Sequence, residues 1–492
     1  SLLHAPSLYL HETDATMEDC KIKTTCDELD QFLSSLSQSN IPSPDVLHAS
    51  PTTSDIHHHG DILAIVSSTN TEAYRCKCSF QIVEDVNENL ACVIRENGTI
   101  YHLPDGIFPP ANFRIREAMI CLINLLNKRS DHTFIRLRDN LTSVTFDSSW
   151  DEKECLLTLH YGPPGISQSC CEEWKQEAQI VCDECQFVRV TGRSKGIKLF
   201  VSESNYISPV ATADDPILEE GIIQDTLWLI LQKSSIDESS IHRVESVSMV
   251  QPKQSTDALN VKIRYQKPAT AFQHPNAGVM LTSLHWILNT LTQVSQQHIT
   301  TTMPNSASTK LRLLEMYNGA GAHTIPLAKS MLLSEIVAVE LDERLVNACR
   351  NNCRLNNCLK GEASDQDQTL VEVFKGDAAE WAKTLRCIHK KNRLSTDTSP
   401  NEVSNNGTND YNEFDILLVD PPRQGLDKTV CEMAIKGTFT HLIYISCGRR
   451  ALIRDLKLLC ADFDIEDLAV IDLFPGTDAV ETLIHLKRKM LK

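Results

Sequence analysis

No run of apolar residues in this 492-residue chain approaches the ~18–20 that a membrane-spanning helix needs, so no such helix is expected. Positive charge is also scarce. The chain has 47 Lys+Arg against 65 Asp+Glu, a formal charge of −18. That excludes a histone-like polybasic binder and leaves open a local basic face on an acidic body. No internal repeat is visible. The 18 cysteines are numerous but unframed. Cys76 with Cys78 and Cys182 with Cys185 lie close together, and the rest lie singly or in loose groups. With no secretory signal, that reads as reduced thiols in an intracellular, cytoplasmic protein. The chain opens on Ser1, so a preceding targeting segment stays open. Its acidic start is unlike an acid-poor transit peptide.

What is present is ordinary globular composition, 41% hydrophobic and 23% charged, in enough chain for two to four domains. Residues 1–73 carry two basic and eleven acidic side chains, a net −9. They read as an acidic, largely disordered tail with one helix near Cys26–Leu36. Its His57–His59 run reads as a solvated loop before a metal site. Residues 74–270 read as an α+β domain. Strand patterns cover Tyr74–Val83, Leu90–Arg95, Thr99–His102, Val144–Phe146, Leu156–Tyr161, Phe187–Val190 and Ile197–Val201. Helical patterns cover Phe113–Asn127 and Cys171–Cys182. The Ser-rich stretch 211–260 reads as an insertion. Residues 271–492 open with the apolar helix Val279–Leu291. From Leu311 they alternate strand and helix as a parallel α/β sheet does, with a polar loop at 392–412.

Two features point to a nucleoside cofactor. The strand Leu311–Met316 runs into a turn holding Glu315, Tyr317, Gly319, Gly321 and Ala322. The glycines permit a tight turn and close ligand approach. Nineteen residues beyond Gly321, a second strand ends in Glu340, which can accept hydrogen bonds from a ribose diol. The third glycine of the dinucleotide pattern is absent, with Thr324 in its place. Glu315, able to bind an ammonium or to fix the loop, suits the zwitterionic end of S-adenosylmethionine better than a pyrophosphate.

Three features point to reactive chemistry. Asp420, Pro421, Pro422 and Arg423 end an apolar strand at the expected crevice. Arg423 stands where methyltransferases of exocyclic amines place an aromatic residue, which disfavours an amine target. Cys447 ends the next strand, before a helix, with Arg449 and Arg450 beside it. A thiol so placed is expected to have a lowered pKa. Glu481 enters the last strand after Phe474–Asp478 and is a candidate proton acceptor.

Taken together, in this order, these motifs resemble the TrmA-like branch of the RNA m5U methyltransferase family, the tRNA (uracil-5-)-methyltransferases. The resemblance covers about Tyr74–Arg488. It includes Phe272–Asn276 and, in the central domain, Tyr74–Phe80, Glu173–Ala178 and Gly192-Arg193. It implies a class I, Rossmann-like S-adenosylmethionine-dependent methyltransferase domain preceded by a smaller α+β RNA-binding domain. It implies Cys447 as nucleophile on uracil C6 and Glu481 as base for the C5 proton. Cofactor positions fall on His274, Tyr317, Ala322, Glu340 and Asp420, with no metal. The implied partner is the T-arm of tRNA, not DNA or a membrane, and the implied state is a monomer. The chain departs from the pattern at His274 (Gln in the family), Ala322 (Asn), Gly448-Arg449 (Asn-Pro) and Asp478-Ala479 (His residues).

Ribosomal RNA as substrate is an alternative, disfavoured by the lack of a TRAM domain and a four-Cys cluster motif before Tyr74. A non-catalytic tRNA-binding factor is another. Arg75, Lys77, Arg114, Arg116, Arg136, Arg138, Arg189, Arg193, Lys195 and Lys198 form the pool from which phosphate contacts would come.

Overall fold

The computed structural model describes residues 24–25, 28–29, 31–32, 63–66, 73–96, 98–103, 107–128, 134–203, 221–232, 243–253, 258–269, 274–301, 310–363, 368–384, 414–472 and 480–490. The His57–His59 run, Phe272-Gln273, the 392–412 stretch and Phe474–Ala479 lie outside them.

Part of the acidic segment expected to be a tail belongs to the body. Thr24-Thr25, Glu28-Leu29 and Gln31-Phe32 are helical, and Leu29 and Phe32 are buried in one of the two cores of the C-terminal domain. Strand β1 (Leu63–Val66) pairs in parallel with Phe463–Ile471 at the edge of that domain's sheet.

The central domain follows the expected pattern. Its elements are β2 (Lys77–Glu84), β3 (Leu90–Glu96), β4 (Thr99–His102), α1 (Phe113–Leu126), α2 (Ile135–Arg138), β5 (Leu141–Ser148), β6 (Cys155–Tyr161), α3 (Cys171–Glu184), β7 (Arg189–Ser194) and β8 (Ile197–Ser202). The seven strands form one sheet in the order β4-β3-β2-β5-β6-β7-β8. Pairing is antiparallel except between β6 and β7, which α3 joins as a crossover. Helix α1 starts where the Asn112 side chain accepts the Ile115 N–H, and it buries Ile115, Met119, Leu122 and Leu126. Gly192 has a steric reason. A Cβ there would press into the Trp174 ring, 2.8 Å from Cε2, so the Glu173–Ala178 and Gly192-Arg193 motifs meet in one packing contact.

The stretch expected to be an insertion is a three-stranded antiparallel sheet. It comprises β9 (Ile222–Gln232), β10 (Arg243–Ser248) and β11 (Ala258–Pro268), in the order β10-β9-β11. One face is buried along its length, through Leu227, Leu229, Leu231, Val244 and Ile263. Those side chains share a core with the next helix, α4 (Ala277–Thr301), so residue 270 separates no two cores.

The C-terminal elements are β12 (Leu311–Met316), α5 (Thr324–Lys329), β13 (Leu333–Glu340), α6 (Glu343–Leu355), β14 (Leu370–Lys375), β15 (Ile416–Val419), α7 (Lys428–Lys436), β16 (His441–Ser446), α8 (Arg449–Leu459), β17 (Phe463–Ile471) and β18 (Glu481–Arg488). The eight strands lie in the order β1-β17-β18-β16-β15-β12-β13-β14. All run one way except β18, which is antiparallel to both neighbours. The central runs Ile336–Val339, Ile416–Val419 and Leu442–Ile445 are continuously apolar and buried because both faces are covered. The chain leaves β12 toward β13 and returns to β15 on the other side. That reversal opens a crevice at the carboxyl ends of β12 and β15.

Candidate functional site

The strand register gathers the predicted residues at that crevice. Met316 pairs with both Val339 and Val419, so Tyr317, Glu340 and Asp420 each stand one step beyond. Ser446 pairs with Thr482 across the antiparallel β16–β18 ladder, which sets Cys447 opposite Glu481.

The turn after β12 is built for close approach. Tyr317, Gly319 and Gly321 all have positive φ (65°, 57° and 88°). A Cβ on Gly319 would meet nothing within 4 Å, whereas one on Gly321 would lie 2.8 Å from Cys349 Sγ. The Tyr317 N–H donates to Val339 O at 3.0 Å, and the Tyr317 ring packs on the core beneath. Ala322 packs against the other core. Glu315 is buried and accepts a 2.6 Å hydrogen bond from Thr324 Oγ1, so it fixes the loop from below. Burial pushes its carboxyl up to about 8, with Thr324 opposing and Glu340 adding. The amide oxygen of buried Asn318 has no hydrogen-bond partner.

Glu340 is held by three backbone donors. Oε1 accepts from Leu341 N at 2.8 Å and Asp342 N at 2.9 Å, and Oε2 accepts from Gly319 N at 3.0 Å. A carboxylate offers about four acceptor positions, so one is left for an incoming hydroxyl.

Around Glu481 the structure adds residues that the sequence did not single out. Ser283 of α4 donates to Oε1 at 3.0 Å. His274 Nε2 lies 3.5 Å from Oε2. The His274 side chain, expected at the cofactor, is thus directed to the carboxylate. Buried His323, the residue after Ala322, acts electrostatically on both. Burial alone would push the Glu481 carboxyl up. The hydrogen bond and charge of His274, with Ser283 and His323, outweigh it and hold it below its usual value. At Asp420 the balance falls the other way. Burial and then the Glu481 charge push it up to about 8, against His274, with Glu315 adding.

The thiol departs from expectation. Burial raises the Cys447 pKa, and the charges of Asp420 and Glu481 add to it. The opposing cation is Arg423, which also hydrogen-bonds the thiol. Arg449 is turned elsewhere. Its Nε pairs with Glu28 at 2.8 Å, and Nη1 donates to Thr25 Oγ1 at 3.1 Å.

The 274–276 segment is tied to the central domain. Cys76 N donates to Pro275 O at 2.9 Å, and Arg75 bridges to Asn276. Lys77 pairs with Asp147 at 3.1 Å and donates to Ala269 O. Other members of the basic pool also serve the domain itself. Arg114 donates to the carbonyls of Cys185 and Gln186, Arg116 to that of Ala111, and Arg189 to Ser202 Oγ. Arg136 pairs with Glu173 and Arg138 with Glu84. Cys182 donates from Sγ to Phe187 O.

The sequence model of the tRNA (Uracil-5-)-methyltransferase family matches residues 231–489. A tRNA/tmRNA (uracil-C(5))-methyltransferase of Pseudoalteromonas atlantica is 26% identical over 85% of this chain and 88% of its own length. One of the same description from Aliarcobacter butzleri is 29% identical over 77% and 75% respectively. Among solved structures, the Pyrococcus abyssi tRNA (uracil-54, C5)-methyltransferase in complex with S-adenosyl-L-homocysteine covers 99% of this chain and 86% of its own. Its identity is 16% and its TM-score 0.51, a likeness of fold.

Proposed function

Since the chain belongs to the tRNA (uracil-5-)-methyltransferase family, we propose that it methylates C5 of a tRNA uridine from S-adenosyl-L-methionine. The target we assign is the T-loop uridine 54; the Pyrococcus protein of similar fold is named for uracil-54. The observation that carries this reading is the register Ser446↔Thr482, with Cys447 and Glu481 as the next residues on each strand. A nucleophile and a carboxylate so placed can flank one pyrimidine ring.

The residues at the crevice fit the cofactor. Glu340 keeps acceptor capacity for a ribose diol, Gly319 leaves open space above the turn, and the buried Asn318 oxygen lacks a partner. Bound there, S-adenosylmethionine supplies an electrophilic methyl group. His274, Tyr317, Ala322 and Asp420 complete the set we assign to it. His274 also meets Glu481.

The protein's part begins with the thiol. C5 of uracil is a weak nucleophile, and a Cys447–C6 bond makes it enolate-like. The raised thiol pKa means that Cys447 rests protonated. As the ring arrives the S–H bond breaks, its proton passing to water, and Arg423 favours the resulting thiolate, whose electron pair forms the bond to C6. After methylation Glu481 takes the C5 proton. The C5–H electron pair then restores the ring double bond, and Cys447 leaves as thiolate. Because Cys447 is half-buried, the uridine must leave its stack to reach it. The partner is the tRNA T-arm.

The test is direct. Cys447→Ala should form no 5-methyluridine in unmodified tRNA and no adduct with 5-fluorouridine-containing tRNA. Glu481→Gln should still form an adduct with unsubstituted tRNA and fail to resolve it. An adduct persisting in Cys447→Ala would assign the nucleophile to another thiol. Methylation of ribosomal RNA in preference to tRNA would overturn the substrate.

A further inference from the structure

The contacts of His274 fix its protons. Nδ1 lies 2.8 Å from Asn276 O, a group that only accepts, so Nδ1 carries a proton. The Asn276 N–H is the longer contact at 3.3 Å. A neutral imidazole so oriented has no proton for Nε2, yet Nε2 faces Glu481 Oε2 at 3.5 Å. Two bare acceptors repel at that range, so the pair holds one further proton. Ser283 already donates to Oε1, which leaves Oε2 for His274.

The groups facing the pair come from four other elements. His323, before α5, is driven down to about 4 by burial, against Glu481 and with His274, and is therefore neutral. Asp420 stands at the end of β15 and Cys447 at the end of β16. Ser283 projects from α4. Glu315 acts on Asp420 from behind. His274 is thus the one imidazole here with a carboxylate in contact. Burial works against its protonation, but Glu481's hydrogen bond and charge, with Asp420 and Asn276, hold it above its usual value.

We propose that His274 is the fixed counter-charge of Glu481, an imidazolium that keeps this enclosed carboxylate ionised so that it can accept the uracil C5 proton. The proposal rests on the reading of Glu481 as that base and gives His274 a positioning role. The proton balance is simple. The C5–H bond breaks, its electron pair forms C5=C6 as C6–S breaks, and the proton ends on Glu481 Oε2. His274 keeps both of its protons throughout, and Glu481 returns its proton to water once product leaves.

The test is tritium release from [5-³H]uridine-labelled tRNA in single turnovers across pH for wild type, His274→Gln and Glu481→Gln. Adduct formation with 5-fluorouridine tRNA, which has no C5 proton, records the thiol's own titration. In His274→Gln, burial of Glu481 is no longer opposed by a cation. Its acid limb should move up by about one pH unit or more, with release about tenfold slower below the new limb and recovering above it. A structural role alone would lower the rate at every pH. An unmoved limb, with release abolished in Glu481→Gln, would overturn the role of His274 and leave Glu481 as base. Full release in Glu481→Gln would overturn the reading of the base itself. Histidine-selective NMR titration decides the pairing independently of activity and of whether His274→Gln folds. The His274 pKa should fall in Glu481→Gln, and an unchanged value would overturn the proposal.

Discussion

The backbone of Arg423 occupies the space that a side chain at Gly448 would need. A Cβ there would collide with the Arg423 carbonyl oxygen and lie 3.0 Å from its carbonyl carbon. The φ of Gly448, −119°, is open to any residue, so the contact and not the conformation demands glycine. Through it the loop after β15 rests on the residue that follows the thiol, and Arg423 reaches Cys447. Gly448→Ala should push that loop back. Methyl transfer should fall by about 10²-fold, the order expected for an ångström of misplacement. Stability should fall by about 1–3 kcal/mol. Single-turnover methylation beside a urea melt separates the two. Unchanged turnover would mean that the loop does not set the thiol's geometry.

The charges around Cys447 predict how its reactivity depends on pH. The thiol is raised by burial and by the negative charges of Asp420 and Glu481. Asp420 itself titrates at about 8, so its charge appears only above that pH. Asp420→Asn should therefore alkylate at Cys447 like wild type below about pH 8 and faster above it. Mass spectrometry of the Cys447 peptide after timed iodoacetamide exposure reads this. Profiles that diverge below pH 7 would show that Asp420 is ionised at neutrality.

How much of this was legible in the sequence depends on which physics wrote each feature. The crevice was legible because parallel strands are apolar runs and their ends are marked by the first polar residue. Glu340 and Asp420 stand out for that reason, and Cys447 stands one step past Ser446, which ends its run. The β9–β11 sheet was not, because one buried face among serines leaves a weak alternation. Nor was the thiol's electrostatics. Arg449 neighbours Cys447 in sequence, but it is held by Thr25, 424 residues away, and by Glu28. His323 and Ser283 carried no spacing signal. One is a helix-entry residue and the other one serine on an apolar helix, and only tertiary packing brings them to Glu481.

A buried ion pair between β9 and β11 of the small sheet meets the central domain at Trp150. Lys267 Nζ lies 2.5 Å from Asp225 Oδ2, with both side chains nearly inaccessible at 2% and 1% exposure. Asp225 also accepts the Trp150 N–H at 2.6 Å, and Lys267 sits 4.5 Å from the centre of the Trp150 ring. Lys267→Met leaves a buried carboxylate without its cation and should cost about 3–5 kcal/mol. Adding Asp225→Leu removes the orphaned charge and should recover part of that loss. Chemical denaturation of the two variants measures both terms. A double variant no more stable than the single would show that the lost cation–ring and Trp150 contacts dominate.

Asn352 on α6 and Asn356 at its C-cap, four residues on, give the free edge of β11 the partners a strand would give. Asn352 Oδ1 accepts from Gln266 N at 2.8 Å, and its Nδ2 donates to Gln266 O at 3.0 Å. Asn356 does the same for Arg264, at 3.0 and 2.7 Å. They differ in one respect. Asn352 Nδ2 also donates to Ala320 O, inside the glycine turn, at 2.9 Å. Asn352→Ala leaves the buried backbone groups of Gln266 unpaired, and Asn356→Ala the part-buried ones of Arg264, at up to about 1–3 kcal/mol. Only Asn352→Ala also releases the turn that faces the cofactor crevice. Titration calorimetry with S-adenosylhomocysteine should show about tenfold weaker binding for Asn352→Ala and wild-type affinity for Asn356→Ala, with similar urea midpoints. Equal losses of affinity in both would mean that the strand edge, and not the tie to Ala320, governs the shape of the turn.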